Sequence, residues 1–150
     1  MTVNNFWQEF LSSTNKDSST EYLDCFHFDL TEEWATKLLD LVLSGKKRAT
    51  ASSLSFYEAK GMRIPQVGDY NIVTDWNGNP RCVIQTTAIT IIPFNEMTFD
   101  ICKREGEDDT LESWQKGHRH FFTEDGKTVG YEFSENMPVV FEDFKVVFIK

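Results

Sequence analysis

The chain has 150 residues, 40% of them hydrophobic and 14% aromatic, with 24 acidic against 15 basic side chains and a formal charge of −9. That size and apolar content fit one globular domain and exclude a disordered chain. The acidic balance works against a long nucleic-acid partner, which binds by counterion release to clustered Lys and Arg.

No apolar run approaches the ~20 residues of a membrane span, and "MTVNNFWQEF" lacks the basic and apolar regions of a signal peptide. Cys25, Cys82 and Cys102 are odd in number, widely spaced and form no C-x-x-C pair. They read as reduced thiols, so a cytoplasmic location is expected, with neither a disulfide frame nor a zinc site.

Residues 4 to 11 put Phe6, Trp7, Phe10 and Leu11 on one face of a short helix, followed by a polar loop over residues 12 to 20. "CFHF" reads as a short strand. Asp29 and Glu32 have capping-box spacing before "TEEWATKLLDLVLSG", where Trp34, Leu38, Leu41 and Val42 share a face and Gly45 marks the end. "GDYNIVTDW" and "RCVIQTTAITII" flank Asn77-Gly78, a hairpin signal. "PFNEMTFDICKRE" looks helical. Asp109 and Glu112 repeat the capping spacing before "TLESWQKGHRHFF", where Leu111, Trp114, His118 and Phe121 align. Residues 123 to 136 read as a polar loop, and "MPVVFEDFKVVFIK" as a closing strand whose alternation slips near Asp143. Helices and strands without regular βαβ alternation predict an α+β fold with a small, mostly antiparallel curved sheet or barrel.

One stretch stands apart. "SGKKRATASS" concentrates three cations just past a helix end and follows them with small hydroxyl and methyl side chains. Cations at a helix C-terminus complement its dipole, which explains the charge but not the "ATASS" that follows. Lys47 and Thr50 suggest a further role. A threonine hydroxyl becomes a nucleophile when a base takes its proton, and lysine is such a base when burial and neighbouring cations lower its pKa. In a regular strand the two side chains would diverge, so Lys47 must occupy the turn after Gly45 for them to meet. His118-Arg119-His120 has the wrong spacing for helical metal ligands, and "EGEDD" lacks the D-x-D-x-D-G pattern. No metal is expected.

"LLDLVLSGKKRATAS" resembles the G-x-K-x-x-T signature of the ASCH domain family, relatives of the PUA domains of RNA-modifying proteins. The likeness continues through "SFYEAKGMRIPQVGDYNIVTDWNGNPRCVIQTT", "IIPFNEMTFDICKREGEDDTLESWQKGHRHFF" and "MPVVFEDFKVVF", as in longer bacterial members. It divides the chain into a helical extension and polar loop, 1–24, and an ASCH domain, 25–150. It implies a PUA-like fold, a small bent β-barrel flanked by helices. For one branch it also implies amidohydrolase action on N4-acylated cytidine nucleosides. Carried over by motif, that branch's catalytic residues fall on Lys47, Thr50 and Glu107, with Glu105 as the rival acid. Lys47 would be the base, Thr50 the nucleophile, and Lys46 or Arg48 would help the oxyanion. Tyr57, Trp114 and His118 are the expected substrate contacts, with Arg81 and Thr86 as further polar candidates. No cofactor is implied, and the expected partner is a small nucleoside or short RNA. Other members of the family are read as RNA-binding modules or ribonucleases, for which Lys46, Lys47 and Arg48 would contact phosphate.

Overall fold

Apolar patterning builds the molecule as a curled sheet with helices on both faces. The computed structural model describes residues 1–150. In chain order the elements are α1 (Val3–Ser13), β1 (Asp24–Phe26), α2 (Glu32–Leu43), β2 (Ala49–Ser53), α3 (Leu54–Lys60), β3 (Tyr70–Thr74), β4 (Pro80–Pro93), α4 (Phe99–Cys102), α5 (Leu111–Val129) and β5 (Pro138–Ile149). The five strands lie in the order β1-β3-β4-β5-β2. Only β1–β3 is parallel; the other pairs are antiparallel. The result is an α+β, PUA-like half-barrel. No helix is long and apolar enough to cross a membrane.

The sheet curls because the long β4–β5 pair carries two register shifts, one near Val83 and Ile84 and one between Thr86 and Ala88. Each leaves a residue unpaired and adds local twist. The pattern slip near Asp143 is therefore real, but the extra residue, Thr87, lies across from it on β4. Around Val139 to Glu142 every β5 side chain is buried. Alternation fails there because both faces are covered: Trp114 and Phe122 of α5 pack with Val139 and Phe141 on one, and Val140 and Glu142 are buried on the other.

The apolar face of α1 buries Phe6, Trp7, Phe10 and Leu11, as its spacing predicts, against Ile72 and Val83 of the sheet. On the opposite face α2 packs Leu38, Leu39 and Val42 over Val73, Ile84 and Phe144. A third cluster joins α5, through Trp114 and Phe122, to Phe94, Val139 and Phe141.

Several boundaries differ from the sequence reading, each for a local reason. Thr31, not Asp29, caps α2, accepting from the Trp34 amide at 3.3 Å. Asp29 instead takes a left-handed conformation at φ 59. Thr110, not Asp109, caps α5. The face of α2 is rotated, so Trp34 is 43% exposed, beneath the Lys37 ammonium, and Ala35 and Leu39 are buried. The Asn-Gly hairpin forms, but as a longer turn in which Asp75 Oδ1 accepts from the Asn77 and Asn79 amides. The segment 94–105 forms two 3-10 turns around the short α4 rather than one helix. α5 runs on to Val129 through the expected loop. Its polar residues there are the solvated side of a helix that buries Phe122 and Asp125, the latter accepting from the Tyr131 hydroxyl at 2.7 Å.

Candidate active site

After α2 the backbone turns back on itself. Gly45 adopts φ +81, and the Lys46 and Lys47 amides both donate to the Leu41 carbonyl, at 2.9 and 3.0 Å. The Arg48 amide then donates to the Arg104 carbonyl at 3.0 Å, which ties this turn to the acidic loop 60 residues downstream. Gly106, at φ +73, lies against the same turn. A Cβ there would come 2.3 Å from the Lys46 carbonyl oxygen, so only glycine lets the two backbones approach this closely. The two motifs are thus joined backbone to backbone, and their side chains converge.

Lys47 points inward and is 1% exposed. Its Nζ donates to the Ala49 carbonyl at 2.7 Å, to Glu107 Oε2 at 2.7 Å and to Glu105 Oε1 at 3.3 Å, which uses all three of its hydrogens. It also lies 5.4 Å from the centre of the Phe28 ring. Burial alone would lower the lysine pKa, but the Glu107 and Glu105 carboxylates outweigh it and raise it. Lys47 is therefore an ammonium here. It is not the neutral base that neighbouring cations were expected to produce, because Lys46 and Arg48 are exposed and the groups that touch it are acids.

The two glutamates have opposite characters. Glu105 is 2% exposed and accepts from the indole N–H of Trp114, with His118 Nε2 3.3 Å from the same oxygen. Burial would push its carboxyl up, yet His118, Lys47 and Trp114 together hold it well below the ordinary carboxylate range. Glu107 is more open. Burial pushes its carboxyl up from an ordinary 4.5 to about 7, with Lys47 pulling down and Glu105 pushing up. His118 stacks on Trp114 with ring centres 4.1 Å apart, and its Nδ1 is 2.9 Å from the Trp114 carbonyl. A carbonyl only accepts, so Nδ1 carries hydrogen. Burial would lower the imidazole pKa, but Glu105 raises it.

These groups border a cavity of about 890 Å³ whose lining includes Phe28, Trp34, Lys47, Thr50, Glu107 and His118. Thr50 is half-buried on β2, and its hydroxyl makes no hydrogen bond to Lys47 or to any other protein group. Glu105, Glu107 and His118 offer ligand atoms within 4.8 Å of one another. The Lys47 ammonium is the cation around which the two carboxylates gather.

Of the other residues singled out in the sequence, Tyr57 lines a smaller adjoining cavity. Trp114 has no exposed surface to offer a ligand; it lies behind Glu105 as a hydrogen-bond donor. Lys46 and Arg48 are exposed and lie outside the cavity lining, and the arginine that pairs with Asp143 is Arg104, at 3.1 Å. Thr86 is buried and donates to Glu142 at 2.5 Å. Sequence reasoning passed over Phe28, Trp34 and Glu142. Glu142 did leave a trace, as a charged residue inside the apolar run "PVVFEDF".

The ASCH domain family model matches residues 24–148. Protein EF3133 from Enterococcus faecalis is 33% identical, with a TM-score of 0.89 over 98% of this chain and 88% of its own. An ASCH domain from Lactobacillus crispatus is 38% identical, with a TM-score of 0.84 over 95% of this chain and 92% of its own. A mutant ASCH protein from Zymomonas mobilis shares the fold alone, at 10% identity and a TM-score of 0.52 over 85% of this chain and 75% of its own. No curated protein matches. The meeting of the G-x-K-x-x-T turn with the acidic loop, the half-barrel that carries them, and a match over nearly the whole chain lead to one statement: this chain belongs to the ASCH domain family.

Proposed function

We propose that the protein is an amidohydrolase acting on small N-acylated nucleosides of the N4-acylcytidine type. The observation that carries this reading is the Lys47 ammonium held between Glu105 and Glu107 on the wall of a cavity that Thr50 also lines. Such a site offers a fixed positive charge, a carboxyl titrating near neutrality and a free hydroxyl, the three components of acyl transfer.

The chemistry then runs as follows. The substrate's acyl oxygen lies toward Lys47, whose charge stabilises the oxyanion as it forms and whose hydrogen bond to Glu107 is released when that carboxylate takes a proton. Glu107, as carboxylate, takes the Thr50 proton while the hydroxyl oxygen bonds to the acyl carbon. The tetrahedral intermediate collapses, the C–N bond breaks, and Glu107 gives its proton to the departing exocyclic nitrogen. A water molecule deprotonated by Glu107 then attacks the acyl-Thr50 ester. This releases the carboxylic acid and returns the proton to Thr50. Glu105 keeps Lys47 charged and in place. Lysine thus serves as the electrophile and the glutamate as the base, an assignment supported by the charge that the two carboxylates keep on Lys47.

The test is turnover of a panel of N4-acylcytidines by wild type, Thr50→Ala, Glu107→Gln and Lys47→Met. Wild type is expected to release the amine, and each variant to lose about 10²–10⁴ in kcat/KM. Wild-type turnover by Thr50→Ala would remove the nucleophile, and an inert wild type would remove the enzyme. A phosphate-reading module would instead bind short RNA with steep salt dependence and be indifferent to Thr50. Lys47 is buried, which leaves Lys46 and Arg48 of the three cations for such contacts.

A further inference from the structure

Beside the main cavity lies a second one of about 240 Å³. The two share Phe28, Asp29, Leu30, Thr50, Ala51 and Phe121, so they meet at the proposed nucleophile. The smaller chamber falls below the roughly 300–1,000 Å³ of sites that hold a drug-sized molecule, so it suits one ring of a larger ligand. Phe28, Phe56 and Tyr57 give it aromatic walls.

Nearly half of its lining is polar, including Asp24, His27, Asp29, Ser52 and Asp125, and two further polar groups are deeply set. Asn71 is 3% exposed, lines the chamber, and its carboxamide has no hydrogen-bond partner in the protein. Its polar atoms are not sealed away, the one fully buried side-chain atom without a partner being Asp143 Oδ2, so the carboxamide is open to a ligand in the chamber. Glu142 is the second group. It stands directly across the β2–β5 pair from Thr50, and directly opposed residues project from the same face with Cβ atoms about 4.5–5.5 Å apart. No cation touches it; its one hydrogen bond comes from the Thr86 hydroxyl. Burial pushes its carboxyl up, toward the neutral acid.

We propose that this chamber is the subsite for the substrate's heterocycle, in which Glu142 and Asn71 hydrogen-bond the edge of an N-acylated amino-heterocycle and so set its exocyclic nitrogen beside Thr50. This rests on the hydrolase reading above. A Glu142 carboxyl oxygen accepts the exocyclic N–H while the group keeps the Thr86 bond. Asn71 serves a ring acceptor. The acyl group and sugar then occupy the larger cavity, with the acyl oxygen toward Lys47.

The test separates binding from turnover. N4-acetylcytidine is titrated calorimetrically into a Thr50→Ala background, alone and combined with Asn71→Leu, Glu142→Leu or Glu142→Gln. The two leucine variants are expected to weaken binding about tenfold to a hundredfold, the cost of one or two lost buried hydrogen bonds. Glu142→Gln, whose amide oxygen can still accept the exocyclic N–H, is expected to bind within about threefold of its parent. Leucine variants that bind like their parent would overturn the subsite while leaving the catalytic reading intact. A parent that binds, in a protein whose wild type does not turn over, would overturn the catalytic reading, and the leucine variants would still decide the subsite. A parent that does not bind overturns both. Should the leucine variants fail to fold, the side-chain amide resonances of Asn71 in wild-type protein give the same decision: they shift when cytidine is added, or the subsite is wrong.

Discussion

Lys47 keeps its charge where burial alone would remove it, because two carboxylates were buried with it. The desolvation that would neutralise a lone ammonium is offset by short hydrogen bonds to Glu107 and Ala49. The same arrangement leaves Glu107 as the group that titrates near neutrality, since Glu105 is held down by His118 and Trp114 as well as by Lys47. In the proposed reaction Glu107 must begin as carboxylate. Activity should therefore rise with pH through an apparent midpoint near 7, and the residual rate of Glu107→Gln should show no such rise. The midpoint belongs to a group that faces Lys47, Glu105 and His118, so the variants must move it in known directions. In Lys47→Met the cation that lowers the carboxyl is gone, and the Glu107 resonance followed by carbon NMR should titrate above the wild-type value. An unchanged titration would mean that the ammonium does not govern this acid.

At the scale of elements, the site depends on two loops meeting without side chains between them. Gly106 makes that contact possible. In Gly106→Ala the new methyl would meet the Lys46 carbonyl, and its backbone would be held in a conformation that costs a non-glycine residue about 1–3 kcal/mol. The variant should melt at a lower temperature and lose most of its N4-acylcytidine turnover, although no ionisable group has changed. A fully active, fully stable Gly106→Ala would show that the acidic loop is positioned by something else. The same juncture explains which parts of the site could be read in advance. Gly45, Lys47 and Thr50 sit within six positions, and the turn after α2 was legible from Gly45 itself. Two glutamates flanking a glycine were visible too. Their division of labour was not, because it depends on Trp114 and His118, which reach Glu105 from the next helix. Asn77-Gly78 between two strand-like runs revealed the β3–β4 hairpin, and apolar periodicity revealed α1, whose face buries cleanly. It failed at α5 beyond Phe121, where a polar helix is held by Phe122 and by the Asp125–Tyr131 hydrogen bond. Glu142 and Asn71 escaped for a related reason: each lies on a strand among apolar neighbours, and only the curl of the sheet brings them to one chamber.

For the whole molecule, the buried acids determine how stability responds to pH. Burial, opposed by whatever partner each has, raises the carboxyl of Glu107 to about 7 and also raises those of Glu142, Asp125 and Asp143. A carboxyl whose folded pKa is raised holds its proton after the unfolded chain has lost it, so it favours folding at low pH. That contribution is lost as pH climbs from the ordinary value through the raised one. For Glu107 this window runs from 4.5 to about 7. His118 adds to the same trend, because its raised pKa gives stability that is complete below 6.5 and lost as pH passes the folded value. Glu105 opposes it only in acid: its lowered pKa gives stability present above 4.5 and lost as pH falls below that. Global charge acts in the same sense as the buried acids, since −9 at neutrality shrinks toward zero at a sequence pI of about 4.8. The protein should therefore be most heat-resistant in mildly acidic solution, with the melting temperature falling between pH 5.5 and pH 8 in calorimetric scans at fixed ionic strength. The proposed catalysis rises over the same interval, because it requires the ionised Glu107 that the fold disfavours. A melting temperature that rose with pH across that range would mean that burial does not raise these carboxyls in the native state.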